Sequence, residues 1–490
     1  MSSQPTVQEV PASPSFLATR RGKLMLAFLC LVGFLDFVDA SIVNVALPSI
    51  RRDLHFSVGG LQWVLSAYLL TYGGFMLLGG RAADLLGRRR VLVAGILVFA
   101  LSSMTGGLAG DPGVLVAARL VQGLGAAMMV PASLSILTTT FTEGTDRHKA
   151  LGAWGGMAGL ASAVGVFLGG LLTEDANWHW IFWVNLPVSL FLLVATFRMV
   201  SGDRQRTRAK HFDSLGALLV TGGMLLLVYA LVNAPTDGWS STRTVAELAG
   251  AAALLVAFLV NEQRSPNPLA PLSIFRINGL GAANATQVIA IASFYSMFFL
   301  LTLYMQDVLG YSQLQAGSAY LPATAGVAIS SGIASQLFAR IGTRPIIITG
   351  AMIAAGAIYW LSRVPVHGTY LSDLLPGLII MSFGLGFVFV GVNTAANAGV
   401  PADKAGLAAA LINTSTWVGG ALGLAIFSVV ATTRTNHLLT LGASQPDALT
   451  AGFHRALAAG AIFLAAAALI ALRATDTRGE PPILEVPESG

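Results

Sequence analysis

Charge is what this chain of 490 residues has least of: Asp, Glu, Lys and Arg together make up 10% of it. Soluble domains carry roughly 25%, so there is too little charge here to cover a water-soluble surface. The length alone would suggest about three soluble domains, and the composition excludes them. Cysteine is almost missing. Cys30 stands alone in an apolar run, which excludes an intrachain disulfide and a cysteine-based metal cluster. Lysine is scarce as well, with four residues against 24 arginines; together with abundant Ala and Gly, this suggests a GC-rich genome. The sequence has no P-loop, HExxH or Ser/His/Asp arrangement, and His148, His179 and His211 lack metal-ligand spacing. No metal, cofactor or ATP-driven chemistry is therefore expected.

Apolar sequence is what the chain has in quantity: 55% hydrophobic residues, 54 glycines and a mean hydropathy of +0.72. Such a composition belongs in a bilayer. Fourteen apolar runs, each of about the 20 residues that cross a hydrocarbon core, extend from 25–48 to 454–472. The first is too long for a cleaved signal peptide and carries Asp36 and Asp39. Of the 28 basic residues, 21 fall in the tails and alternate loops on one side, 6 fall on the other and Arg119 lies inside a span. Basic loops stay cytoplasmic, so both termini are expected in the cytoplasm. The net charge of +5 then reflects loops facing anionic lipid rather than a nucleic-acid partner.

An internal repeat is visible. The loop from Gly80 to Arg89, after the second span, is echoed by Ser335 to Arg344 after the tenth, with Gly342 in the place of Gly87. The repeat divides the chain into a tail (1–24), a six-span bundle (25–201), a linker with two extra spans (202–264), a second six-span bundle (265–473) and a tail (474–490). The expected fold is thus an all-α integral membrane protein of two six-helix bundles plus two extra helices. Parallel six-helix halves with a site at their midplane interface are a transporter architecture.

Ionisable residues inside spans are functional candidates. Asp36 and Asp39 lie three apart on one helix face. Burial disfavours the charged form of a carboxyl group, so such a pair suits proton or cation handling. Arg119 must face protein or water, with Gln122 and Gly123 on its side of the helix. Gly80, Asp84, Gly87, Arg88 and Arg89 combine a tight turn with an acid that can cap a helix or pair with arginine, a pattern that suits a gate. The fifth span is a glycine ladder that includes Gly165, Gly169 and Gly170, which permits close helix approach. Asn44, Gln62, Trp63, Tyr68, Asn284, Gln287, Phe294, Tyr295, Asn393, Asn397 and Trp417, with Gln122, are polar or aromatic residues within spans. An apolar pocket with a few such groups suits an amphipathic ligand.

These residues together resemble the fourteen-helix drug:proton antiporters of the major facilitator superfamily. The resemblance covers nearly the whole chain. It rests on Leu35 to Pro48 in the first span, Gly80 to Arg89, Arg119 to Gly125 in the fourth span, and Trp178 to Pro187. It implies the major facilitator fold, proton coupling by Asp39 and Arg119, and gating by Asp84 with Arg88. It further implies that the protein is no enzyme, works as a monomer in the cytoplasmic membrane of a bacterium, and draws on the proton gradient alone. The sequence departs from the pattern at three places. Val166 replaces the usual proline of the fifth-helix motif, His179 an arginine, and Ala339 the acid of the second loop. The expected function is proton-coupled efflux of amphipathic small molecules such as drugs. The alternatives are an exporter dedicated to one natural product, a membrane sensor that transports nothing, and a membrane enzyme.

Overall fold

The computed structural model describes residues 16–141, 144–200, 202, 213–266, 268–269, 272–398, 400 and 405–477. Most of the expected inter-bundle linker lies outside the described residues, as do the side chains of Asp84, His148 and Ala339. Fourteen described helices are long and apolar enough to cross a membrane. The first half holds α1 (Arg20–Leu54), α2 (Trp63–Ala83), α3 (Arg88–Gly107), α4 (Pro112–Thr140), α5 (Lys149–Asp175) and α6 (Trp180–Met199). Two further helices follow, α7 (Ser214–Ala234) and α8 (Thr242–Arg264). The second half holds α9 (Leu280–Val308), α10 (Gln313–Phe338), α11 (Thr343–Leu361), α12 (Tyr370–Asn397), α13 (Leu407–Thr440) and α14 (Gln445–Ala471).

Local chemistry sets the helix ends. The Thr19 hydroxyl accepts the Gly22 amide at 3.0 Å to begin α1. Asp111 accepts the Val114 amide at 3.0 Å to begin α4, just ahead of Pro112, whose missing amide costs nothing in a first turn. Ser312 and Gln315 cap α10 reciprocally. Gly87 and Gly342, at φ of 104° and 83°, separate α2 from α3 and α10 from α11. Glycine adopts that backbone at no steric cost. The repeated loop of the sequence is therefore a repeated backbone break.

The repeat extends to packing. In the first half α1 packs on α5, α2 on α4, α3 on α4 and α3 on α6. The second half repeats each pair in order: α9 on α13, α10 on α12, α11 on α12 and α11 on α14. Between the halves, α2 meets α13 and α5 meets α10, two contacts that the same correspondence exchanges. The extra helices pack on each other, and α7 rests against α2 and α13.

The halves touch at one end and part at the other. A Cβ on Gly170 of α5 would lie 2.7 Å from the Gln313 carbonyl oxygen of α10. At 100° per residue, Gly152, Gly156 and Gly159 share the face of Gly170, yet no described residue lies within 4 Å of a Cβ at any of the three. One helix face thus meets the opposite half at its C-terminal end and open space toward its N-terminal end.

Close helix crossings explain much of the glycine content. A Cβ on Gly79 would fall 1.9 Å from the Ala127 carbonyl oxygen, and one on Gly423 would fall 2.3 Å from that of Ala292. Gly423→Ala should therefore force α13 away from α9 and cost roughly 1–3 kcal/mol, as overpacking does. Gly356, with nothing within 4 Å of its Cβ position, should accept alanine with an unchanged or higher melting temperature. Thermal unfolding of the two variants in detergent checks the contrast.

Candidate functional site

The intramembrane charges singled out by the sequence meet in one buried cluster of the first half. Arg119 on α4 donates through Nη1 to Asp39 Oδ2 on α1 at 2.7 Å and to Gln122 Oε1 at 2.7 Å. Its Nε donates to the Val64 carbonyl on α2 at 2.9 Å. Asp39 Oδ1 accepts from Gln122 Nε2 at 2.8 Å and from Asn185 Nδ2 on α6 at 2.7 Å. Ser103 on α3 joins the network, accepting from Asn185 at 2.9 Å and donating to the Phe182 carbonyl. Arg119 and Asp39 are both fully buried. The Asp39 carboxylate is thus held by an arginine and two amides from two helices.

Asp36, one turn away on α1 and equally buried, has a different setting. Its two oxygens accept from the phenol hydroxyls of Tyr68 and, at 3.1 Å, Tyr72, both on α2. No arginine or lysine pairs with it among the described residues. Tyr68 links the two carboxylates, because the Arg119 guanidinium lies 4.2 Å above its ring. Tyr72 links the two halves, because its ring stacks on Trp417 of α13 with centroids 4.3 Å apart.

The second half contributes aromatic and amide groups around Trp417. Gln287 on α9 donates to Thr416 at 2.9 Å, and Asn284 accepts from Ser415 at 2.8 Å. Tyr295 lies against Gly420, 3.1 Å from its Cβ position. Phe294 packs edge-on against Tyr295 at 5.7 Å and Phe389 at 5.6 Å. The interface thus has Tyr68 and Tyr72, with the buried Asp36 behind them, on one wall and the aromatic rings of the second half on the other.

Other expected residues lie elsewhere. Trp63 faces the extra helices, with its ring 6.4 Å from Tyr229 of α7. Asn393 and Asn397 are exposed and donate to carbonyls of their own helix. Gln62 and Asn44 are buried. In the Gly80 to Arg89 loop, Arg88 donates to Thr139 of α4 at 2.8 Å, and Arg89 lies over the Phe197 ring of α6 at 5.0 Å. In the fifth-helix motif, Gly165 and Gly169 face α1, where their Cβ positions come within 2.8 Å of the Val38 and Ile42 carbonyls. Val166 stands in unbroken helix.

Sequence reasoning missed Tyr72, Ser103 and Asn185 as site residues, and a latch at the touching end of the halves. There Arg51 of α1 pairs with Asp307 of α9 at 3.0 Å. Gln306 donates to the Val45 carbonyl at 2.8 Å, Gln313 to Ser49 at 2.9 Å, and the Leu314 amide to Glu174 at 2.9 Å. Asn185 was signalled by its place between apolar residues just before Pro187; the latch was signalled only by charges at span ends.

Two six-helix halves that face each other across a charged, aromatic-lined interface, closed at one end and parted at the other, define a multi-pass membrane transporter. The chain belongs to the Major Facilitator Superfamily, which its sequence matches over residues 29–424. It is 38% identical to the puromycin resistance protein pur8 of Streptomyces alboniger, over 90% of this chain and 89% of that one. It is 36% identical to the cephamycin export protein CmcT of Amycolatopsis lactamdurans, over 93% of each. A solved bacterial homologue of the human lysosomal transporter Spinster, inward-facing and unoccupied, superposes with a TM-score of 0.65 at 15% identity, covering 93% of this chain and 97% of that one. Membership of a transporter superfamily sets aside the enzyme alternative.

The latch makes a testable claim about conformation. Asp307→Asn leaves Arg51 without its anion in a place where Asp307 is only 7% and Arg51 16% exposed. The penalty should fall between the 0–1 kcal/mol of an exposed pair and the 3–5 kcal/mol of a broken buried one. The conformational equilibrium should shift on the order of tenfold toward opening at this end. Spin labels on Thr173 and Ser318, in a Cys30→Ser background, should report longer distances in the variant; unchanged distances would contradict the latch.

Proposed function

We propose that the protein exports amphipathic small molecules in exchange for protons, by alternating access, as a monomer in the cytoplasmic membrane of a bacterium, with no cofactor beyond the proton gradient. One observation carries the reading. A buried carboxyl group with no cationic partner among the described residues, Asp36, is tied to the opposite half of the molecule through Tyr72 and Trp417. The names of the relatives, which concern resistance to puromycin and export of cephamycin, support efflux as the direction. The 21 to 6 asymmetry of basic residues supports placing both termini, and therefore the open end, in the cytoplasm.

On this reading Asp39 is the fixed charge and Asp36 the group that loads and releases a proton. As a carboxylate, Asp36 accepts from both phenols. Once protonated it carries a donor of its own, so one phenol must either reverse its hydrogen bond, accepting where it now donates, or turn away. If Tyr72 turns, its stack on Trp417 breaks and the interface between the halves loosens. Inward movement of the proton down a potential of 100 mV supplies about 2.3 kcal/mol per charge. A deprotonated Asp36 favours a cationic cargo, and Phe294, Tyr295 and Trp417 favour a flat apolar body. Gly80, Asp84, Gly87, Arg88 and Arg89 would gate the cytoplasmic mouth. The arginines are now held within their own half by Thr139 and Phe197, and would engage the other half on closure.

A second reading, export of a single natural product, is favoured by a relative named for cephamycin alone. Resistance conferred on a sensitive host against unrelated dyes and antibiotics separates the two; protection against one compound class favours the narrow exporter.

Asp36→Asn and Asp39→Asn should each lower pH-driven export from proteoliposomes at least about tenfold, a loss of 1.4 kcal/mol or more in the rate-limiting barrier. Asp36→Asn should leave counterflow of substrate without a proton gradient largely intact, because that exchange needs no proton to be loaded. Undiminished pH-driven export by either variant would refute the proton assignment.

A further inference from the structure

The open end of the molecule carries a cleft that the transport reading does not use. It lies at the seam between α1 and α6, has a volume of about 400 Å³, and is lined by Arg20, Arg21, Leu24, Met25, Arg198 and Met199. We propose that this cleft binds the phosphodiester headgroup of an anionic phospholipid, which clamps the start of α1 to the end of α6.

Three arginines from two helices line one hollow, and all three are exposed. None pairs with a carboxylate among the described residues. Like charges gathered with no described carboxylate in salt-bridge range repel one another unless an anion lies between them. A guanidinium presents a planar fork that matches two phosphate oxygens at once. The charge thus selects a phosphate-type anion, and the rest of the cleft selects a lipid as its source. The remaining lining, Leu24, Met25 and Met199, is apolar. Beside it on α6 runs an exposed apolar strip of Leu190, Phe191, Val194 and Phe197, along which acyl chains can lie. Arg20 and Arg21 form the first turn of one membrane helix, and Arg198 sits one residue before the end of another, the level at which headgroups lie. Basic pockets between membrane helices on the cytoplasmic side hold anionic headgroups for this reason.

The clamp would act on helices that matter. α1 carries both carboxylates, and Asn185 of α6 donates to Asp39 at 2.7 Å. A headgroup that ties α1 to α6 steadies the frame around Asp39. The binding itself does not depend on the exporter reading, so the test uses binding and stability rather than transport.

Purified full-length protein in neutral detergent is titrated with phosphatidylglycerol, phosphatidylcholine or inorganic phosphate. Melting temperature is followed, and retained lipid is counted by native mass spectrometry. Phosphatidylglycerol should raise the melting temperature and remain bound, whereas phosphatidylcholine and phosphate at equal concentration should do neither. R20Q, R21Q and R198Q should each weaken the binding about fivefold, the equivalent of about 1 kcal/mol per basic residue, while R340Q, away from the cleft, leaves it unchanged. Because the three side chains are exposed, R20Q/R21Q/R198Q should melt like the parent in the absence of lipid. If that variant fails to fold, R20K/R21K/R198K serves, keeping the charge but losing the forks, with intermediate affinity expected. Equal retention of phosphatidylglycerol by parent and triple variant would overturn the site. Equal stabilisation by inorganic phosphate would overturn its assignment to lipid.

Discussion

Arg119 and Asp39 carry opposite full charges where neither could stand alone, since an unpaired arginine at the centre of a membrane helix costs about 2.5–3.5 kcal/mol by insertion scales. Pairing them is not enough. A buried ion pair repays its desolvation only when its remaining donors and acceptors are also satisfied. That demand reaches four further places, the Val64 carbonyl on α2, Ser103 on α3, Gln122 on α4 and Asn185 on α6, and it is met except at Arg119 Nη2, which has no hydrogen-bond partner among the described residues. Each bond has a length and a direction, so the pair sets the register of five helices against one another. The stack of Arg119 on Tyr68 carries the same constraint to Asp36. The first half is therefore a rigid frame around one ion pair, and the second half is free to be the partner that moves.

That mobility needs surfaces that can come together without interlocking, and α5 supplies one. At its C-terminal end, Gly170 lets the α10 backbone approach, while Gly165 and Gly169 do the same for α1. At its other end the glycines of the same face meet no described residue. A face of small residues leaves little side-chain interdigitation to undo when the halves rock. The latch residues around this contact are polar and sit near the membrane surface, where water can replace their partners. Closure at this end rests on bonds that solvent can take over, whereas the charged frame in the bilayer cannot exchange its bonds so cheaply.

How much of this was legible follows from how rare each residue type is in its setting. Asp36, Asp39, Arg119 and Gln122 stood out because charged or strongly polar groups are few in apolar spans, and the structure gathers them in one cluster. The fourteen spans and the repeat were legible because length and hydropathy govern them directly; Gly87 and Gly342 mark the same backbone break. Ser103 and Asn185 were not, because small neutral polar residues occur in many spans and only the fold places these two beside Asp39. Tyr72 read as one aromatic among many, and its role depends on Trp417, more than 300 residues away in sequence. Trp63, Asn393 and Asn397 show the reverse. Residue type suggested a pocket, but helix rotation turns Trp63 to α7, and the two asparagines bond their own helix.

Arg51 is one of the six basic residues on the minority side of the sequence, and its pairing with Asp307 gives α1 a second duty. The helix runs unbroken from Asp36 to Arg51, a rise of about 22 Å. At one point it holds the carboxyl group proposed to take up the proton; at the other it holds the latch to α9. A rigid element that carries both groups cannot shift at one without shifting at the other, unless it bends. Pro48 lies between them and closer to the latch. Proline removes a helical hydrogen bond, so any bend would fall there and would uncouple Ser49 and Arg51 from the site, whereas the Gln306 bond to the Val45 carbonyl lies on the site's side of it. Coupling between proton and conformation in this chain therefore has two routes along α1: a direct one through Val45, which Gln306 of the second half holds ahead of Pro48, and one through Ser49 and Arg51 that depends on how stiff α1 remains across that proline.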